Sequence, residues 1–208
     1  MKKTEAIHII TKCAKLYREK LENTNILFLY GTPDTPDAME TLFLSRHFLH
    51  LTGVNPDFAR VHSSRDFYTR CLSGRLSPDD FVLAEDGTTE MKLEVLPNLI
   101  RLVQSARMIG DYDQTKSLLC TEKLAGNVRG CIGFVKDGRY YVPNTALRQD
   151  IRDITTHPQK RIIAIFQKVV SQSRYGEPSF CQKELPPEGL TIPPEMKEKF
   201  RTAEFAAP

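Results

Sequence analysis

The chain has 208 residues, 40% of them hydrophobic and 26% charged, with a formal net charge of +3. It reads as one soluble globular domain, or one domain with a tail, able to bury a substantial core. The small positive excess excludes a polycation and mildly favours an anionic partner. The local clusters Arg101 to Arg107, Arg148 to Arg152 and Lys160-Arg161 weigh more than the total, although each reads first as a solvated helix face or strand end.

Residues Ala6, Ile9, Ile10, Cys13, Ala14, Leu16, Tyr17 and Leu21 recur at helical spacing and predict an amphipathic helix from about Glu5 to Glu22. Its hydrophilic interruptions (Thr4, Glu5, His8, Lys12) are not those of a signal peptide. Ile26 to Tyr30 is a short apolar strand, and Thr32 to Asp37 a loop. Glu40 to Leu44 predicts a second strand, antiparallel to the first, with Arg46, His47 and His50 at its far end. Ser63 or Ser64 caps a helix through Phe67, Tyr68, Cys71 and Leu72, which Gly74 stops. Ser77-Pro78 opens a short helical turn. A long helix is expected from about Thr89 to Ala106, kinked or broken at Pro97.

Beyond Gly110 the pattern turns to strands: Leu118 to Leu124, Val128 to Lys136, Arg139 to Val142 after an Asp137-Gly138 hairpin, and Arg161 to Lys168. The Pro-rich remainder predicts an extended tail with one short helix near Pro194 to Phe200. The expected fold is therefore α+β: helices packed on an antiparallel β-sheet of about four strands, with an additional N-terminal hairpin. Residues 1–170 form the domain and 171–208 the C-terminal extension.

Five cysteines are scattered, without a C-x-x-C pair. Zinc ribbons and thioredoxin-like motifs have no support, and free thiols in a reducing cytoplasm are expected. No segment is long enough to cross a bilayer, so no membrane partner is expected. Neither a G-x-G-x-x-G after a strand nor a Walker-type lysine loop is present.

Three of the five histidines, His47, His50 and His62, fall close together beside arginines and hydroxyls. Histidine suits proton transfer near neutral pH. His47 and His50 have no third ligand at motif spacing, so no metal and no cofactor are expected. His8 and His157 read as surface residues. Metal-free RNA cleavage needs a base for the 2′-hydroxyl, an acid for the 5′-oxygen and cations for the phosphorane. His50 suits acid–base work; Lys123, Arg129 or Arg152 suits the phosphate; Tyr141 suits a hydrogen bond or a base stack. Asn144 and Thr145 stand in a turn that orients polar groups. The plainer readings are a half-buried Tyr141, an Asn144 that only builds the turn after Pro143, and a solvated Lys123.

Five blocks carry a resemblance: Phe48-Leu49-His50-Leu51-Thr52-Gly53-Val54, Ser64-x-x-Phe67-Tyr68, Met91-Lys92-Leu93-x-x-Leu96, Ile109-Gly110-Asp111-Tyr112 and Tyr141-Val142-Pro143-Asn144-Thr145. From Thr4 to about Lys168 the chain resembles a phage-associated family of the barnase–EndoU–colicin–RelE-like nuclease superfamily. The resemblance implies helices on a four-stranded antiparallel sheet. It also implies metal-independent RNase activity in a toxin or phage-conflict setting, with RNA and an inhibitor or host protein as partners. It marks His50, Thr52, Lys92, Tyr141, Asn144 and Thr145 as motif positions. Fold does not fix function. A non-catalytic RNA- or protein-binding protein, or a dimer formed through the N-terminal helix, are the alternatives.

Overall fold

A computed structural model describes residues 1–116, 119–156, 158–183 and 185–200. The start of the strand expected at Leu118, and His157, lie outside them.

Helix α1 (Lys3–Lys20) buries Ala6, Ile10, Cys13, Ala14 and Tyr17, the stripe its spacing dictates. Strands β1 (Thr24–Gly31) and β2 (Pro36–Phe43) pair antiparallel, Thr24 opposite Phe43 and Gly31 opposite Pro36. β2 begins four residues before the expected start, because the loop between the strands is shorter. A short helix α2 (Phe48–Thr52) follows and ends at Gly53, whose φ of 71° suits glycine. Strand β3 (Val54–Pro56) pairs with β4 (Phe81–Leu83) in a separate two-stranded ribbon. Between them lies α3 (Ser64–Ser73). The Ser63 hydroxyl caps it, accepting from the Asp66 backbone N–H at 3.1 Å, and Gly74 ends it in the left-handed region.

The long helix expected to Ala106 divides into α4 (Thr88–Leu99) and α5 (Leu102–Ser105). Pro97, inside α4, offers no N–H to the turn before it, and the chain bends out of helix three residues later. The strands that follow are β5 (Met108–Asp111), β6 (Lys123–Asn127), β7 (Gly130–Asp137) and β8 (Tyr140–Leu147). Then come α6 (Ile151–Ile154), β9 (Lys160–Val169) and β10 (Phe180–Cys181). The expected helix near Pro194 is a 3₁₀ helix at Pro194–Lys199.

The expectation of helices packed on an antiparallel sheet of about four strands is overturned. The strands run β1-β2-β8-β7-β6-β5-β9, and β9 pairs back to β1, closing a seven-stranded barrel, with β10 added along β9. The pair β2–β8 is parallel, and the N-terminal hairpin is part of the wall rather than an addition. Closure depends on β9. At ten residues it is long enough to hold β1 along one edge while β5 and β10 share the other.

Both faces of β1 are covered, which is why its sequence is an unbroken apolar run. Ile26 and Phe28 join the helices in the main core, where the rings of Tyr17, Phe43, Phe48 and Tyr68 meet edge to face or tilted. Leu27 and Leu29 face a second core with Phe166 of β9 and with Tyr175, Ile192 and Phe200 of the C-terminal segment. The segment thus packs onto the barrel wall through its apolar residues.

Candidate functional site: a charged cleft at the barrel rim

Closure brings five strand ends to one rim. Tyr30 is the last residue but one of β1 and Asp37 the second of β2, while Asp111 ends β5, Lys123 begins β6 and Lys160 begins β9; with Ile109 they line a cleft of about 220 Å³. The sheet register sets the pairs. Asp111 stands opposite Lys123, and its Oδ1 accepts from Lys123 Nζ at 2.6 Å. Tyr30 stands opposite Asp37, which holds an ion pair with Lys160 Nζ. The Lys160 ammonium also lies 5.7 Å from the centroid of the Tyr30 ring, within cation–π reach.

These contacts set the protonation states. Burial works against the Lys123 charge, but the bond to Asp111, helped by the phenols of Tyr30 and Tyr141, outweighs it and holds the ammonium above its ordinary value. The Asp37 carboxylate does the same for Lys160. Burial pushes the Tyr30 phenol up, with Asp37 adding to it and Lys123 opposing it. At neutral pH the cleft therefore holds two fixed cations and a protonated phenol beside two carboxylates. That set can accept a proton, donate one and neutralise a developing oxyanion.

Of the residues singled out in the sequence, Lys123 lines this cleft and Tyr141 stands within its electrostatic reach. Asn144 and Thr145 lie within β8 rather than in the expected turn, and they act on the segment that leads into Lys123. Asn144 Nδ2 donates to the Cys120 carbonyl, and Asn144 Oδ1 accepts from Thr121 Oγ1 at 3.1 Å. Thr145 is buried and faces Gly133, where an added Cβ would come within 2.9 Å of both Thr145 and Thr121 side chains. Glycine at 133 therefore lets the 120–121 segment close over β7, two residues before Lys123.

The histidine stretch forms a separate locality. Gly53 permits α4 to approach α2 so closely that a Cβ there would meet Lys92 Cδ at 2.8 Å. Thr89 Oγ1 donates to the Gly53 carbonyl at 2.5 Å, and Lys92 Nζ donates to the His50 carbonyl at 3.4 Å. His50 is exposed, yet partial desolvation and then the Lys92 charge push its imidazole down. Burial lowers Lys92 in turn, with Asp86 opposing. Thr52 is buried and donates to the Leu49 carbonyl at 2.7 Å, closing α2. His47 is buried, and its Nδ1 accepts from the Leu44 N–H. His8 and His62 are exposed.

Arg152 is not brought to Lys123. It grips Asp150 through Nε and Nη2 at 2.6–3.1 Å at the start of α6 and lines a different cleft with Asp113 and Asp153. Arg129 lines another, with Arg101 and Gln104. Among the described residues, no three His, Cys, Asp or Glu side chains gather as a metal site needs. No helix among them is long and apolar enough to cross a membrane.

Sequence reasoning missed Tyr30 and Asp37, held Asp111 only within the Ile109–Tyr112 block without a role, and noted Lys160 only as part of a basic cluster. Each is a polar residue at the tip of an apolar strand, a common surface arrangement. Only the shared rim distinguishes them, and the rim depends on closure.

These features define a mostly antiparallel β-barrel protein with helices on one side and a charged cleft at its rim. A family model described as phage-Barnase-EndoU-ColicinE5/D-RelE like nuclease4 matches residues 9–180, and the chain belongs to that family of phage-related nucleases. No curated protein and no solved structure matches the chain.

Proposed function

We propose that this nuclease is a metal-independent endoribonuclease of a phage or mobile-element conflict system, and that it cleaves RNA at the Lys123 cleft by 2′-hydroxyl attack. The observation that carries the reading is the Asp111–Lys123 pair at 2.6 Å beside Tyr30 and the Asp37–Lys160 pair. Asp111, whose side chain is 66% exposed, accepts the 2′-hydroxyl proton. The 2′-oxygen attacks phosphorus, and Lys123 and Lys160 carry the charge of the phosphorane. The Tyr30 phenol, kept protonated by burial, supplies the proton for the departing 5′-oxygen. The products are a 2′,3′-cyclic phosphate and a free 5′-hydroxyl.

The test is incubation of defined single-stranded RNA with the full chain in EDTA, with product ends read by mass spectrometry. Cyclic-phosphate ends that disappear with Lys123→Ala support the reading. Intact RNA, or equal cleavage of an oligonucleotide lacking 2′-hydroxyls, rejects it. RNA bound but uncut favours the non-catalytic alternative.

A second reading places the acid–base step at His50, favoured by the Lys92 ammonium that reaches its backbone. Loss of cleavage in His50→Ala with retention in Lys123→Ala selects it.

A further inference from the structure

A second cleft is roomier than the one at Lys123. It is a groove of about 450 Å³ along the outer edge of β9, walled by Arg107, Arg161, Phe180 and Lys183. Its charge is one-sided. Arg107, Arg161 and Lys183 are all exposed, and no carboxylate is among the described residues that line it. The rim cleft differs, since each of its lysines is already neutralised by an aspartate.

The groove also has a stacking surface. The Arg107 guanidinium lies 4.6 Å from the centroid of the Phe180 ring, and its Nη1 donates to the Ala106 carbonyl at 2.7 Å. A guanidinium held over an aromatic ring by a residue that is itself exposed offers a surface on which a nucleobase can stack. The remaining cations suit the phosphates on either side of that base.

Its position relative to the cleft is fixed by the β5–β9 ladder. Ile109 stands opposite Lys160, and Met108 opposite Arg161. Lys160 lines the cleft and Arg161, the next residue, lines the groove. The two sites therefore flank the start of one strand, a single residue apart.

We infer that the Arg107–Phe180 groove holds a nucleotide of single-stranded RNA next to the one being cleaved, its base stacked on Arg107 and its phosphates on Arg161 and Lys183. The inference rests on the proposed RNA substrate and adds to it the place that supplies affinity. The rim cleft, with its charges paired, contributes less net attraction for a polyanion.

The experiment measures binding of a short fluorescent single-stranded RNA to the full chain carrying Lys123→Ala, by anisotropy across a salt series. Adding Arg161→Ala and Lys183→Ala is expected to weaken binding at least about tenfold and to reduce the slope of log K against log salt by about 1.4, for two lost phosphate contacts. Adding Phe180→Leu instead is expected to weaken binding about three- to tenfold with the slope unchanged, because stacking is lost and charge is not. If the double variant unfolds in a thermal melt, Phe180→Leu and Lys183→Ala decide the matter. Unchanged affinity in folded variants overturns the inference. So does equal loss of binding to an acidic peptide of the same charge, which would make the groove a protein contact. Wild-type cleavage is read separately. Cleavage with unaltered binding in the variants rejects the groove alone, whereas groove-dependent binding without cleavage supports the groove and rejects only the catalytic reading.

Discussion

Lys199 Nζ lies 2.5 Å from Glu40 Oε2, a contact between residues 159 positions apart. The other carboxylate oxygen accepts from the Tyr175 hydroxyl at 2.8 Å, and Glu40 is only 5% exposed. A carboxylate in the barrel wall is thus satisfied by two groups from the C-terminal segment. Tyr175, which also packs against Phe166 and Phe200, has its phenol pushed far up by burial and by this same carboxylate.

Removing one partner from such a group costs more than the bond itself is worth, because the other is left buried. Lys199→Met is expected to lower stability by about 1–3 kcal/mol in urea unfolding, the lower end reflecting the partly exposed ammonium. The double variant Lys199→Met, Glu40→Gln should lose less than the sum of the single changes. Strict additivity would mean that the pair is not coupled.

His47 supplies a pH dependence. Burial first, then the charges of Arg46 and His50, depress its pKa from 6.5 to about 4. The unfolded chain therefore binds a proton at this residue between about pH 6.5 and 4 that the folded chain refuses. Stability contributed by neutral His47 is present above pH 6.5 and falls through that window, by up to about 3 kcal/mol. Unfolding free energies measured from pH 7 to 4 should fall less steeply for His47→Gln than for the natural chain. Parallel curves would show that His47 is not the group responsible.

The local elements were legible because short-range chemistry specifies them. Ser63 and Gly74 bound α3, Asp137-Gly138 turns β7 into β8 with Gly138 at φ 59°, and the run Ile26 to Tyr30 is a strand covered on both faces. The barrel was not legible. Met108–Asp111 is four residues with a glycine among them, too short for a periodic signal, yet it bridges β6 to β9. The pairing of β1 with β9 links distant residues without any local mark. The cleft shared that fate. Lys123 could be named as one cation among several, but its partners Asp111 and Tyr30 are found only once the ring is closed.

Lys92 should be visible in the titration of His50. Its ammonium is one of the two influences that lower that imidazole, the first being desolvation. Lys92→Met is expected to raise the His50 pKa in an NMR titration while leaving it short of the exposed value. Gly53→Ala acts on the same contact by another route. It places a Cβ at a left-handed φ and 2.8 Å from Lys92 Cδ, so a cost of at least about 1 kcal/mol is expected. An unchanged His50 titration in Lys92→Met would disconnect the two residues.

The rim cleft and the Asn144 contacts behind it can be separated by kinetics. In the proposed mechanism Lys123→Ala removes a fixed cation from beside the phosphate, and it is expected to lower kcat/KM by about 10²–10³-fold. It should cost little stability, since Asp111 is largely exposed and water replaces its partner. Asn144 is not among the residues that line the cleft; it ties Cys120 and Thr121 to β8 and so fixes where Lys123 begins β6. Asn144→Ala should therefore reduce kcat with KM nearly unchanged, and should also lower stability by about 1–2 kcal/mol for the bonds lost. Lys123→Arg, which keeps the charge but not its shape, should recover part of the activity that Lys123→Ala loses. A variant at Asn144 that loses stability but keeps full kcat would assign this residue to the fold alone.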